Sequence, residues 1–347
     1  SAPLYYQWKK DGVSLPGETS SSLTIPSATM SDSGNYTVKV ENDCGYVESD
    51  PAYVEVRKAP EIIVHPEGQN LCEGDDLYLS VTATGSYPLY YQWKKDGVAI
   101  DGATDSTLSI PMVTTSDAGS YTVRVENDCG YDVSDPAIVV VRVAPVIEVQ
   151  PMDQILCEGE TISLTVVATG SDPLSYQWSK DGIEIANATA PTLTIPLAVE
   201  ADSGMYTVKV ENDCGYEVSD PANVTVRVAP VITAQPQGQN LCEGETISLF
   251  VTATGSPTLL YQWFKDTIAI PGATDSMLVI PNATASNSGS YTVTVTNACD
   301  SVTSQPAIVN VRVAPVIVTQ PMGQTICNGA PLELSVVATG TAPLMYL

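Results

Sequence analysis

The sequence predicts an all-β protein built as a row of tandem two-layer β-sandwiches, and three observations carry that prediction. The four tryptophans stand at 8, 93, 178 and 263, each 85 residues from the next. Around them one stretch recurs: Tyr91-Gln92-Trp93-Lys94-Lys95-Asp96-Gly97, and its copies from Tyr6, Tyr176 and Tyr261. Its inward aromatics alternate with outward Gln and Lys at the period of a strand, and Asp-Gly closes it as a hairpin turn. No 3.6-residue apolar periodicity survives anywhere, whereas period 2 does. A ring as large as Trp needs a second sheet over it, so one Trp per 85 residues means one small core per repeat.

At 347 residues, length alone would suggest two or three domains, but the internal period takes precedence. The expected division is three complete domains, 59–143, 144–228 and 229–313, flanked by partial ones at 1–58 and 314–347. The chain starts and stops at equivalent points inside a repeat, so it is read as a window onto a longer array.

The repeat 59–143 shows the expected elements in order. Glu61-Ile62-Ile63-Val64 is a first strand broken by Pro66, as suits an edge. Gln69-Asn70-Leu71-Cys72 follows and runs into a Glu73-Gly74 turn. Leu77, Leu79 and Val81 alternate with Asp76, Tyr78 and Ser80, a half-buried strand. After the Trp93 strand, residues 105–111 form another strand ended by Pro111. Asp117-Ala118-Gly119-Ser120-Tyr121 turns a tight corner into Val123 and Val125. Asn127-Asp128-Cys129-Gly130 is a hairpin turn, with Gly where positive φ is wanted. The last strand runs from Pro136 to Val143. About seven short strands with turn signals every 8–12 residues indicate a two-sheet sandwich.

These residues resemble the immunoglobulin superfamily, closest to its intermediate set as found in tandem bacterial surface and adhesin proteins. The resemblance rests on the Glu-Gly turn, Trp93 and the Asp-x-Gly-x-Tyr corner, and covers nearly the whole chain. It implies core roles for Trp8, Trp93, Trp178 and Trp263, and makes Tyr36, Tyr121, Tyr206 and Tyr291 tyrosine corners. The fourth corner departs slightly, with Asn287 for the aspartate. A larger departure is the missing inter-sheet disulfide: where the family has Cys, this chain has Val81 and Val123, Val166 and Val208, Val251 and Val293.

The balance of 14 Lys plus Arg against 40 Asp plus Glu gives a formal charge of −26. Such a surface repels phosphate backbones and anionic lipid, so nucleic acid is excluded as a partner. No apolar run approaches the roughly 18 residues of a membrane span, and no leader peptide is evident. Val-Arg-Val-Ala-Pro-Val-Ile at 141–147, 226–232 and 311–317, with Val-Arg-Lys-Ala-Pro-Glu-Ile at 56–62, leaves no Gly/Ser spacer between repeats. Proline in so short a joint holds the backbone extended. The expected shape is therefore a rod, with roughly 40 Å per sandwich and on the order of 150 Å in all.

The eight cysteines form two series with the same step: 44, 129, 214, 299 and 72, 157, 242, 327. Regular, even usage in this fold argues for disulfides and an oxidising compartment. Pairing inside a repeat would join Cys72, at the trailing end of the sandwich, to Cys129, in the hairpin at its leading end. Eight or so strand residues separate these points, roughly 25 Å, whereas bridged Cα atoms lie about 4.4–6.8 Å apart. Stacking repeats end to end instead brings Cys72 to Cys214 and Cys157 to Cys299. Cys44, Cys129, Cys242 and Cys327 would then bond residues outside this window. Pairing within a repeat through another register, and free or inter-chain thiols, are the alternatives that stay open. A staple closing so long a loop stabilises by about 4–5 kcal/mol in the chain-entropy picture.

Glu73, Asp75 and Asp76 gather at one end of the repeat, Asn127 and Asp128 at the other. They are read as solvated turn residues, with calcium held between domains as the competing reading. The cysteine spacings fit no zinc pattern, and His65, beside Pro66, is read as a solvent residue. The Asn-x-Ser/Thr triplets at Asn35, Asn187, Asn223 and Asn282 do not recur in register and are read as chance. With one His and near-identical repeats, nothing pairs a nucleophile with a base, so no enzyme is expected. The expected role is a structural segment of an extracellular surface fibre, stalk or adhesin shaft, its partners being other copies of the array, fibre subunits or a surface ligand beyond this window. The alternative is an adhesion module that binds a protein or glycan through the loops at the sandwich ends. Glu-Asn-Asp-Cys-Gly-Tyr stands verbatim at 41–46, 126–131 and 211–216, which suits a shaft better than a diversified binding loop.

Overall fold

Ten strands build the repeat 59–143 in the computed structural model, which describes residues 3–346 of the chain. They are β1 (Glu61–Val64), β2 (Gln69–Cys72), β3 (Leu77–Ser80), β4 (Thr82–Thr84), β5 (Tyr90–Lys95), β6 (Val98–Ala99), β7 (Thr107–Ile110), β8 (Gly119–Asn127), β9 (Gly130–Val133) and β10 (Ala137–Arg142). One sheet runs β6-β5-β8-β10-β2, with β9 also on β8. All its pairs are antiparallel except β10 with β2, which are parallel and set Arg142 opposite Cys72. Facing it, the segment from Leu77 to Thr84 pairs through β3 with β7 and through β4 with β1. The count exceeds seven because Val81 leaves the ladder and divides β3 from β4, and because the return strands β6 and β9 of two tight turns add to the seven.

Alternation fills the space between the layers. Leu77, Leu79, Trp93, Val123 and Val125 are all at most 1% exposed. Trp93 lies opposite Val123 in the β5–β8 register, and its indole Nε1 donates to Asp105 O at 2.9 Å. Val81 and Val123, at the positions of the absent inter-sheet bridge, are buried in the same cluster. Hydrophobic packing therefore takes the volume that a disulfide would occupy. Asp96 and Gly97 both have positive φ, 50° and 83°, the requirement of the tight turn between β5 and β6.

A single 3-10 turn, Thr115–Asp117, precedes β8. Asp117 Oδ2 accepts from Thr114 N at 2.8 Å, and Tyr121 Oη donates to Asp117 O at 2.8 Å. Burial, then the nearby carboxylates of Asp117 and Asp96, push the Tyr121 phenol up to about 12. Tyr206 is likewise pushed up to about 12 by burial, then by Asp202 and Asp181. An unfolded tyrosine ionises near pH 10 and the folded one near 12, so the native state holds more protons in between. This stabilising term is complete below pH 10 and is lost as pH rises toward 12. The chemical-denaturation midpoint is expected to fall across that window, and to fall less steeply in Tyr121→Phe; equal slopes would disprove the assignment.

By contacts the described chain divides into two compact units. The first holds the residues up to Val146 with Gly170–Leu174 and Glu211–Tyr216; the second holds Ile147–Thr169, Ser175–Val210 and everything from Glu217. The first unit thus contains the repeat just described, preceded by a five-stranded sheet from Tyr5–Lys10 to Ala52–Val54. In that sheet Tyr36 is buried, but Trp8 is only half-buried. Among the described residues it has no facing strand of the β3 type. The second unit contains the repeat 229–313, whose sheet repeats the same order with Trp263 and Tyr291 at 0% exposure. Trp178 and Tyr206 of the middle repeat are likewise 0% exposed.

The candidate functional site at the cysteine junctions

Parallel pairing of β2 with β10 places Cys72 beside Arg142 at the end of a sheet. Glu73 N donates to Arg142 O at 2.8 Å, and Cys72 N donates to Asp75 Oδ2 at 2.8 Å, so the end of β2 is fixed on both sides. Against it, within the same unit, sits the turn Asn212-Asp213-Cys214-Gly215 of the next repeat. Cys72 and Cys214 are disulfide-bonded with Cα atoms 5.5 Å apart, and Asp213 pairs with the Arg142 guanidinium. The second unit holds the corresponding bond, Cys157 to Cys299, with Cα atoms 5.6 Å apart. Cys157 stands opposite Arg227 as Cys72 does opposite Arg142. Here Ala298 occupies the place of Asp213, so this junction has no matching ion pair.

Asparagine seats each turn. Asn212 Nδ2 donates to Val143 O at 2.8 Å and Ser171 O at 2.9 Å, while its Oδ1 accepts from Cys214 N at 2.9 Å. Asn297 does the same with Val228, Ser256 and Cys299, and Asn127 with Lys58, Ser86 and Cys129. The linker is fixed by these partners as well as by its proline. Val143 N donates to Ser171 Oγ at 2.9 Å, and Ser171 N donates to Val143 O at 3.0 Å. Ser86, Ser256 and Thr341 hold Lys58, Val228 and Val313 in the same reciprocal way. Glycine before each hydroxyl permits the approach: a Cβ on Gly170, at φ +141°, would lie 2.9 Å from Pro145 Cα. Sequence reasoning missed this seat, although Ser86, Ser171, Ser256 and Thr341 share the 85-residue step.

Cys44, Cys129, Cys242 and Cys327 are exposed thiols. Cys129 Sγ lies 3.5 Å from Arg57 O, as Cys299 Sγ lies 3.7 Å from Arg227 O, and Asp128 Oδ2 pairs with Arg57 at 2.8 Å, as Asp213 pairs with Arg142. Cys242 stands opposite Arg312 as Cys72 does opposite Arg142.

The polar residues at the joints are engaged inside the protein. Asp75 caps the Cys72 amide, Asp76 Oδ1 accepts from Met112 N at 2.9 Å, and Asp128 pairs with Arg57. Among the described residues no group of three or more His, Cys, Asp or Glu could hold a metal ion. His65 is exposed, as read from the sequence, and also has a structural partner: its Nδ1 accepts from Asp135 N at 3.0 Å. Gln150 and Gln235 do this in the later repeats, accepting from Asp220 N and Gln305 N. No described helix is long and apolar enough to cross a membrane.

Two facing layers, a tyrosine bonded back to the corner before its strand, and a buried tryptophan define a tandem β-sandwich protein. The family model for the immunoglobulin domain matches residues 59–127, 144–212 and 229–297, and the chain belongs to that family. Roundabout homolog 2 of Homo sapiens is 29% identical over 348 residues, covering 89% of this chain and 25% of that protein. Hemicentin-2 of Mus musculus is 26% identical over 278 residues, covering 75% of this chain and 5% of that protein. Muscle M-line assembly protein unc-89 of Caenorhabditis elegans is 29% identical over 333 residues, covering 84% and 4% respectively. The chain thus spans a quarter or less of the length of these relatives. Among solved structures, the titin I-band fragment I67-I69 is 22% identical with a TM-score of 0.64, covering 73% of this chain and 98% of that one, a likeness of fold.

Proposed function

We propose that the chain is a load-bearing segment of an extracellular surface fibre, stalk or shaft, without catalytic activity. In this reading residues 59–143, 144–228 and 229–313 are complete domains and 1–58 and 314–347 belong to partial ones. The observation that carries the reading is the linker: at Val143 and Val228 both the amide and the carbonyl are hydrogen-bonded to the following repeat, and a disulfide closes each joint. Linkers meant to swivel leave these groups to water. Four near-identical joints are what a shaft needs, since its units do one job.

Disulfides persist outside the cytosol, which supports an extracellular location. Cys44, Cys129, Cys242 and Cys327 would bond equivalent repeats beyond this segment, and other copies or fibre subunits would be its partners. The named relatives are animal proteins, so the surface is proposed without the bacterial source that the sequence pattern suggested. Adhesion through the sandwich ends is the second reading. It is favoured by the departure of the last turn, Asn297-Ala298-Cys299-Asp300, from its three counterparts.

Small-angle X-ray scattering tests the shaft. A maximum dimension on the order of 150 Å is expected if sandwiches of roughly 40 Å follow one another in line. A broad distribution of much smaller dimensions under oxidising conditions would reject it.

A further inference from the structure

The two disulfides interleave: Cys157 lies inside the loop closed by Cys72–Cys214, and Cys214 lies inside the loop closed by Cys157–Cys299, each loop spanning 142 residues. We infer that this interleaving is a covalent bypass that takes tension off three quarters of the polypeptide between the outer cysteines and limits how far the chain can stretch. It deepens the mechanical reading above and rests on it for its biological purpose, though not for its geometry.

The consequence follows from connectivity alone. Along the backbone, residue 72 and residue 299 are 227 steps apart. With both bridges made, the shortest covalent route crosses from Cys72 to Cys214, returns to Cys157 and crosses to Cys299. It contains only the 57 steps between residues 157 and 214. A fully drawn-out residue spans at most about 3.3–3.6 Å, so the route between the outer cysteines is limited to ~190–205 Å instead of ~750–815 Å. Segments 73–156 and 215–298 then lie off the route and carry no terminal load, however far the rest is drawn out.

Either bridge alone leaves a route of 85 steps, through residues 72–157 or 214–299. Losing one bridge therefore adds 28 steps, and losing the second adds a further 142. This unequal pair of increments is the signature of interleaving, because independent loops would release their lengths additively. The bypass is also reversible. A dithiol such as dithiothreitol delivers two electrons and two protons to each bridge, is itself oxidised to its cyclic disulfide, and leaves two thiols.

The test is single-molecule stretching of the whole chain between handles at its termini. Under oxidising conditions the final contour length is expected to fall short of the reduced one by 170 steps, or ~560–610 Å. Cys72→Ser should lengthen the oxidised limit by ~90–100 Å, Cys72→Ser with Cys157→Ser should reach the reduced limit, and Cys129→Ser should change nothing. Equal limits before and after reduction, an unchanged limit in Cys72→Ser, or a longer one in Cys129→Ser would each overturn the inference. The folding of a serine variant does not enter, since the wild-type chain with and without dithiothreitol gives the main comparison. A chain that scatters as flexible beads but keeps the oxidised limit would reject the shaft and retain the bypass. A rigid rod whose limit ignores reduction would do the reverse.

Discussion

Trp93→Ala is expected to destabilise the repeat 59–143 by about 3–5 kcal/mol, the usual cost of emptying a buried aromatic site. The ring is 0% exposed, packs in one cluster with Leu77, Leu79 and Val123, and donates its indole N–H to Asp105 O. Removal leaves a cavity between two layers held apart by their own ladders, so little collapse can fill it, and the Asp105 carbonyl loses its donor. In related sandwiches a bridge would tie the two layers together here; this chain has Val81 and Val123, and packing has to do all the work. Native-state hydrogen exchange reads the effect by repeat. Amides of Leu77–Ser80 and Val123–Val125 should lose protection by about a hundredfold to several thousandfold at 1.4 kcal/mol per decade. Those of Gly289–Thr296 in the second unit should not change. A loss below tenfold would show that the core does not depend on this ring.

Much of the fold is legible in the sequence because it rests on local periods. Alternation at Leu77, Leu79 and Val81 fixes which face of a strand is buried, and Asp96-Gly97 fixes a turn, without knowledge of any distant residue. The 85-residue step then repeats the reading four times. Elements that depend on chain far away are legible only in part. Trp8 carries the same local signal as Trp93 yet is half-buried, since burial is decided by a facing layer and not by the strand itself. His65 reads as a surface residue and is one, but its hydrogen bond from Asp135 N depends on chain 70 residues away. Glu73, Asp75, Asp76 and Asp128 read as solvated turn residues, because nothing local shows that Met112 N and Arg57 will reach two of them. The junction is the clearest case. Asn212, Ser171 and Val143 lie in three separate stretches, and their meeting is set by how one repeat's turns close on another's last strand. Their common step with the tryptophans was the available signal, and it is strong for any residue type that small polar turns would otherwise vary.

Asn212→Ala is expected to loosen the first junction by about 2–4 kcal/mol, from three hydrogen bonds at a net 0.5–1.5 kcal/mol each. The side chain reaches Val143 O, Ser171 O and Cys214 N at once, so it ties the preceding repeat's linker to the turn that carries the disulfide. The bond from Ser171 N to Val143 O remains, and the sandwich cores are untouched, so the loss is local. Asn212→Asp separates the two halves of the side chain's role. It keeps an acceptor for Cys214 N but turns a carboxylate oxygen toward the carbonyls of Val143 and Ser171, which can only repel it. The order of junction stability is therefore wild type, then alanine, then aspartate. The readout is alkylation of Cys214 under limiting dithiothreitol, because a sulfur on a seated turn is harder to reach than one on a loose turn. Alkylation should be about tenfold or more faster in the alanine variant and faster again in the aspartate one, while Cys299, seated by Asn297, keeps its wild-type rate. If Asn212→Asp reacts like the wild type, the amide donors do not hold the joint, and the stiffness assigned to the linker has to come from its proline and its disulfide alone.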